Sequence, residues 1–414
     1  MFFKVVPVAE AQLSLLQALG SARVKARMVE EVSLARAVGR VLARDVVAEE
    51  ALPPFARSTV DGYAVQAEDT FGASESLPAY LQLAGEVVMG RPAEGSLREG
   101  QCFGIPTGGA LPEGADAVIM VEHTELPGDG TVAIMRPVAP GENLVQPGED
   151  ARAGEVVLGR GHLLRAPDIG VAAAVGYASL AVFRRPRVAV LSTGDELVVP
   201  GEAPSRGQVR DVNSYTLAAA VTTEGAEPEL LGIVPDRMES LREALGRAME
   251  ADAILVSGGS SIGARDLVAG AISELGSPGI LLHGVAVRPG KPVIVAVAEG
   301  RPVFGLPGHP VSALVMFHLL VRPALRFLAG MDPFPPEPVV RARLSRSLSS
   351  RSGIEEFVRV SLEGSGPDRV ARPVLGKSGL INTLARAWGL VRIPAESTGL
   401  AEGDEVEVIP IYPI

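Results

Sequence analysis

RVAVLSTGDE (187–196) and DAILVSGGSS (252–261) decide the fold. Each is an unbroken apolar run that ends abruptly in small polar residues. Such a run, with no polar alternation, is what a strand buried on both faces of a parallel sheet requires. Working outward, NSYTLAAAVTTEGA (213–226) reads as a helix, ELLGIVPD (229–236) as a strand, and RMESLREALGRAME (237–250) as a second helix. Further apolar runs follow in GILLHGVAV (279–287), PVIVAVA (292–298) and PVFGLPG (302–308). The last leads into a long helix, HPVSALVMFHLLVRPALRFL (309–328). Strands alternating with helices predict a three-layer α/β domain with parallel strands.

The flanks differ from this segment. Residues 8–50 read as mostly helical, with helical spacing in AEAQLSLLQAL and SLARAVGRVLA. From Leu52 to about Asp150 short apolar runs are separated by Gly and Pro, which predicts an inserted β domain. LRAPDIGVAAAVG (164–176) predicts a helix with Pro167 at its first position. After a Pro-rich linker at 331–338, alternating stretches to residue 414 predict a small all-β domain.

Composition narrows the function. The 414 residues are 47% hydrophobic and 21% charged, a folded multidomain chain of about two to four domains. The net charge of −11, with no Lys/Arg run, argues against a nucleic-acid partner. One cysteine, Cys102, excludes an internal disulfide and a multi-Cys zinc site, and the five histidines show no metal-ligand spacing. Cys102 is read as a buried thiol and not as a catalyst. MFFKVVPVAEAQ lacks the pattern of a signal peptide, and no apolar run predicts a membrane span, so a cytoplasmic chain is expected.

Ligands of open α/β sheets sit at the carboxyl ends of the strands. Four strand-end loops are therefore the candidate site. Ser192, Thr193 and Gly194, followed by Asp195 and Glu196, bring small residues and carboxylates. Ser257, Gly258, Gly259 and Ser260 open a Gly-rich loop suited to anions, with Asp266 just beyond it. Pro307, Gly308 and Ser312 lie at the start of the long helix, whose free N–H groups favour negative charge. His309 in that turn is read as a capping or packing histidine. Arg288 and Lys291 add cations beside a glycine hinge. Carboxylates repel an anionic ligand unless a cation bridges them, and Mg²⁺ held by one or two carboxylates plus phosphate oxygens would do so. Outside this region RSTVDGYAV (57–65), with Asp61, IPTGGA (105–110), with Thr107, and GEDA (148–151), with Asp150, are polar turns with candidate side chains.

Taken together, RSTVDGYAV (57), PTGGALPEGADAVI (106), GENLVQPGED (141), LSTGDELV (191), VSGGSSIGARD (256), RPGKPV (288) and GLPGHPVSALV (305) resemble the molybdopterin molybdenumtransferase family, the MoeA proteins and gephyrin E domain. The resemblance spans nearly the whole chain in order. It implies four domains: an α/β molybdopterin-binding domain from 1–27 and 176–330, a linking domain from 28–50 and 149–175, an inserted β-rich domain at 51–148 and a C-terminal β barrel at 331–414. It implies a homodimer with the site between the α/β domain of one subunit and the inserted domain of the other. The implied reaction inserts molybdenum from molybdate into adenylylated molybdopterin, giving molybdenum cofactor and AMP with Mg²⁺. Contact with the adenylyltransferase and with apo-molybdoenzymes is implied too. By position, Asp61, Thr107 and Asp150 would reach in from the neighbour, and Glu196, Asp236 and Asp266 would line the cleft. Asp61, Glu196, Asp236 and Asp266 would act in catalysis and as metal ligands. Asp236 comes from the resemblance alone, and Arg359 and Ser378 are carried over on looser motifs. Gly284 stands where many members have lysine, and Arg288 where lysine is frequent. Which cation meets the oxyanion, and whether molybdate or tungstate is preferred, stays open. Two other readings are an adenylyltransferase, which uses a similar α/β domain, and a non-catalytic molybdopterin-binding scaffold.

Overall fold

The computed structural model describes residues 5–21, 28–258, 262–336 and 338–411. Its centre is a six-stranded sheet in the order Glu227–Val234, Arg187–Thr193, Ala253–Gly258, Arg301–Leu306, Ile294–Ala298, Pro278–His283. The first four strands are parallel. Ile294–Ala298 runs antiparallel to both its neighbours, so Pro278–His283 again points the way of the first four, and the expectation of parallel strands fails at that one strand. The cause is local. Only Glu299 and Gly300 join Ile294–Ala298 to Arg301–Leu306, both at positive φ (49° and 79°), and such a hairpin turn leaves no room for a crossover helix.

Helices cover both faces, giving three layers. Along Arg187–Thr193 the side chains alternate between two cores. Val188 and Val190 pack with Leu15, Leu19, Leu217 and the long C-terminal helix. Ala189 and Leu191 pack with Leu241, Leu245 and Ile272 on the other face. Each fully buried leucine contributes about 1.5–3 kcal/mol of transfer free energy. Helix Val8–Ser21 thus belongs to the α/β core although it lies far away in sequence. The segment Pro310–Leu328 is long and apolar enough to cross a membrane, yet most of it is buried here as a core helix. A π-helical turn at Phe317–Val321 interrupts it.

The expected helix over residues 33–43 does not form. Only the short turn Leu34–Arg36 is helical, between the strand Val29–Ser33 and a glycine, Gly39, at φ 73°. The backbone pairs at long range instead: Gly39 N–H donates to Leu164 O and Leu42 N–H to His162 O. The apolar residues still reach a core, where Ala37, Leu42 and Val46 meet Leu164, Leu180 and Val182. Val29–Ser33 pairs with Ser179–Phe183, so that strand lies with the linking segments, past the expected boundary at 175/176. Helix Ala166–Ala174 has Arg165 as N-cap, which puts Pro167 at its second position, not its first.

The inserted region forms its own six-stranded sheet, from Gly62–Val65 to Thr131–Ile134 with neighbouring strands, over a core that includes Cys102. The C-terminal strands Val340–Leu344, Glu355–Glu363, Val370–Pro373, Gly389–Ile393 and Glu405–Pro410 close into a barrel, because Glu355–Glu363 pairs with both Val370–Pro373 and Gly389–Ile393. Val287–Arg288 leaves the α/β segment to pair in parallel with Glu355–Glu356. That short pairing stitches the barrel to the carboxyl edge of the central sheet.

Candidate functional site

At that edge the strand ends are held by a buried polar network. Ser192 Oγ donates to Asp211 Oδ1 at 2.9 Å and lies 2.9 Å from Ser214 Oγ. Ser192 is almost fully buried, so its side chain supports the loop from below. Thr193 Oγ1 donates to Asp236 Oδ1 at 2.5 Å, and the Asp236 N–H donates to Asp195 Oδ1 at 3.2 Å. The resemblance-derived Asp236 is thereby fixed beside the 193–196 loop. Asn213 Nδ2 donates to Ser257 Oγ (2.7 Å) and to Gly308 O (2.8 Å), tying two of the predicted loops together. Gly258 is required: a Cβ there would sit 2.1 Å from Thr193 O, at φ 144°. Gly259 and Ser260 lie outside the described residues.

Between this edge and the barrel opens a cleft of about 830 Å³. Its floor includes Gly258, Pro307, Gly308 and Ser312, and its walls carry Arg288, Lys291, Arg346, Arg359 and Lys377. Among the described residues Glu356 is the one carboxylate in the lining. It accepts from Ser350 Oγ at 2.9 Å and lies 3.7 Å from Arg288 Nε. Arg359 Nη2 donates to Gly376 O at 2.7 Å, and Nη1 donates to Thr383 Oγ1. Burial lowers the Arg359 pKa, though a guanidinium keeps its charge at neutral pH. Ser378 Oγ lies 2.9 Å from His309 Nδ1, and Val311 N–H donates to Ser378 O at 3.2 Å, so a barrel loop closes on the start of the long helix.

The structure therefore brings Gly258, Arg288, Lys291, Pro307, Gly308, Ser312, Arg359 and Ser378 to one cavity. Sequence reasoning passed over Arg346, Glu356 and Lys377, whose loops have no strong motif, and it gave His309 a capping role. His309 is the N-cap residue, but its side chain makes no cap hydrogen bond. It is exposed and lines the cleft.

The remaining acids are elsewhere. Glu196 and Asp266 are exposed, the latter on helix Ile262–Ser273. Asp61 and Thr107 meet on the inserted domain, where the Thr107 N–H and Oγ1 donate to Asp61 Oδ1 at 2.6 and 2.9 Å. The Thr107 backbone bond, then its hydroxyl, holds the Asp61 carboxyl below its ordinary value. Asp150 is exposed beside the isolated Leu52–Ala151 bridge, its N–H donating to Leu52 O. Among the described residues no three His, Cys, Asp or Glu side chains gather as a metal site, so Asp61, Glu196, Asp236 and Asp266 do not form a metal cage within one chain. Burial pushes the Cys102 thiol up to about 12, so burial disfavours its thiolate.

Comparison with known proteins covers nearly all of the chain. Residues 6–176 match the MoeA N-terminal region (domain I and II), residues 189–326 a probable molybdopterin binding domain, and residues 341–411 the MoeA C-terminal region (domain IV). A molybdopterin molybdenumtransferase 2 of Mycobacterium tuberculosis is 39% identical, over 91% of this chain and 94% of that protein. A molybdopterin molybdenumtransferase of Bacillus subtilis is 33% identical over 92% and 90%. A crystal structure of the molybdopterin biosynthesis moeA protein from Pyrococcus horikoshii superposes with a TM-score of 0.84 at 34% identity, covering 98% of this chain and all of that one.

Proposed function

The chain belongs to the MoeA family of molybdopterin molybdenumtransferases, and from that premise we propose how its own residues divide the work. It is a transferase of molybdenum cofactor biosynthesis, acting on molybdopterin and molybdate. In our reading the oxyanion sits in the cleft between sheet and barrel, against Lys291, Arg359 and Ser378. The observation that carries this is the charge: Arg288, Lys291, Arg346, Arg359 and Lys377 converge there in a chain of net charge −11. Arginine and lysine at this density recognise an oxyanion by charge-assisted hydrogen bonds. The buried start of Pro310–Leu328 turns the positive end of its helix dipole to the same side, although Pro310 has no N–H and the Val311 N–H is taken by Ser378 O.

The adenylylated pterin would lie along the strand ends, from Gly258 towards Thr193 and Asp236. Holding it beside molybdate removes an entropic barrier of up to roughly 7–11 kcal/mol in ideal cases. Mg²⁺ fits as a substrate-completed ion and not as a caged one. Asp236 and Glu196 stand on adjacent loops, and magnesium needs only one or two carboxylates when phosphate oxygens and water complete its shell. When bound it would neutralise the phosphoanhydride. Asp266 would face the same ligand from the Gly-rich loop side. Asp61, Thr107 and Asp150 would come from the second subunit of a homodimer. The adenylyltransferase upstream and apo-molybdoenzymes downstream are the protein partners this chemistry asks for, in the cytoplasm.

The test is AMP release from adenylylated molybdopterin by the pure protein. Release that depends on molybdate, with no transfer of AMP from ATP to molybdopterin, is the expected result. AMP transfer from ATP without a partner protein would replace this reading with adenylyltransfer. Repeating the assay with tungstate measures the metal preference left open by Gly284.

A further inference from the structure

We propose that His309 is the proton-transfer residue of metal insertion, an assignment that rests on the oxyanion lying in the sheet–barrel cleft. The chemistry asks for one. When a dithiol takes up molybdate, two S–Mo bonds form and one Mo–O bond breaks. The two thiol protons leave with the displaced oxide as water. The metal keeps its oxidation state, so no electron donor is needed. Two protons must therefore pass from sulfur to oxygen, and a group beside the oxyanion that takes and releases one at a time can carry both in turn.

The charged groups that face His309 in the cleft are Arg288, Lys291, Arg346, Arg359, Lys377 and Glu356. The lysines and arginines are donors only, suited to holding the anion by charge-assisted hydrogen bonds. Glu356 accepts from Ser350 and pairs with Arg288. An imidazole alone among these side chains has one ring nitrogen that accepts a proton and another that donates one. Its placement suits that task. The Ser378 hydroxyl lies 2.9 Å from Nδ1 and fixes the ring, while Nε2 has no hydrogen-bond partner among the described residues. The side chain is not used as a helix cap and is exposed to the cleft. The ring is thus oriented at one nitrogen and open at the other, as a general acid–base requires.

The experiment uses the full chain, adenylylated molybdopterin and molybdate, with turnover measured from pH 6 to 8.5 for wild type, His309→Gln, His309→Ala and Ser378→Ala. His309→Gln and His309→Ala should lower kcat by about 10- to 100-fold, with the KM for molybdate within about threefold of wild type. The pH dependence of kcat should flatten in both, and added imidazole should restore part of the turnover of His309→Ala. Ser378→Ala should lose less, with its pH limb retained. A His309→Gln kcat within twofold of wild type, or a loss confined to KM, overturns the assignment. Thermal unfolding at the wild-type temperature verifies that the variants are folded. If Lys291→Ala and Arg359→Ala leave the molybdate KM unchanged, the cleft reading itself fails. If they raise it while His309→Gln keeps its kcat, only the role of His309 is rejected.

Discussion

The two halves of the sheet edge carry opposite charge. At the ends of Arg187–Thr193 and Glu227–Val234 stand Asp195 and Asp236, knitted together by Thr193 and a backbone N–H, with Glu196 exposed beside them. Past Ala253–Gly258, at the ends of Arg301–Leu306 and Ile294–Ala298, stand Lys291 and Arg288, joined by Arg346, Arg359 and Lys377 from the barrel. The acidic half is built from one stretch of chain. The basic half is assembled across two domains. A ligand with a phosphoanhydride at one end and an oxyanion partner at the other meets a different chemistry at each, and the net charge of −11 hides the difference.

The largest effect should come from dismantling the basic half. Lys291→Ala combined with Arg359→Ala should lower kcat/KM for molybdate by about a hundredfold, on the order of 3 kcal/mol for two charge-assisted contacts. Molybdate-dependent AMP release measures it. A slightly smaller effect, on stability, should follow where the halves meet. Gly258→Ala drives a Cβ to 2.1 Å from Thr193 O and should destabilise the α/β domain by about 2–3 kcal/mol. Gly201→Ala, with nothing within 4 Å of the added Cβ, should leave the denaturation midpoint nearly unchanged. Equal midpoints for the two variants would show that the strand contact does not constrain the site.

Asn213→Ala tests the tie between the halves. Ser257 Oγ and Gly308 O would each lose a donor, at a cost of about 1–3 kcal/mol seen in urea unfolding. The smallest effect concerns the inserted domain. Thr107 keeps Asp61 ionised below the ordinary value of 3.8, so Asp61 stabilises the fold above that pH. The contribution is lost as pH falls through the lowered folded value. Thr107→Ala removes the hydroxyl bond and keeps the backbone one, so Asp61 should rise only part of the way towards its ordinary value in an NMR titration; an unmoved Asp61 would mean that the Thr107 hydroxyl bond does not form in solution.

How much of this was legible in the sequence follows the same division. The apolar runs at 187–193 and 253–258 specify strands buried on two faces, and their small polar ends mark the loops that reach the site. Ser192 was legible as a site-loop residue, but its buried bonds to Asp211 and Ser214 were not, since that partnership forms only on folding. The stretch 33–43 has helical spacing, yet its N–H groups found partners at residues 162–164, and tertiary pairing overrode the local pattern. Arg346 and Lys377 had no motif to mark them, because a cation acquires its role from what the barrel places opposite it. His309 was legible as a capping or packing histidine, and it is the N-cap residue; the bond to Ser378, which shows where the ring is directed, forms only on folding.

The central claim is that the oxyanion belongs to the basic half. Equilibrium binding of molybdate to the full chain, measured side by side for wild type, Lys291→Ala/Arg359→Ala and Asp236→Ala, tests it most directly. Affinity should fall by about a hundredfold in the first variant and stay within about threefold of wild type in the second. Binding that survives loss of Lys291 and Arg359 but disappears with Asp236 would contradict the account.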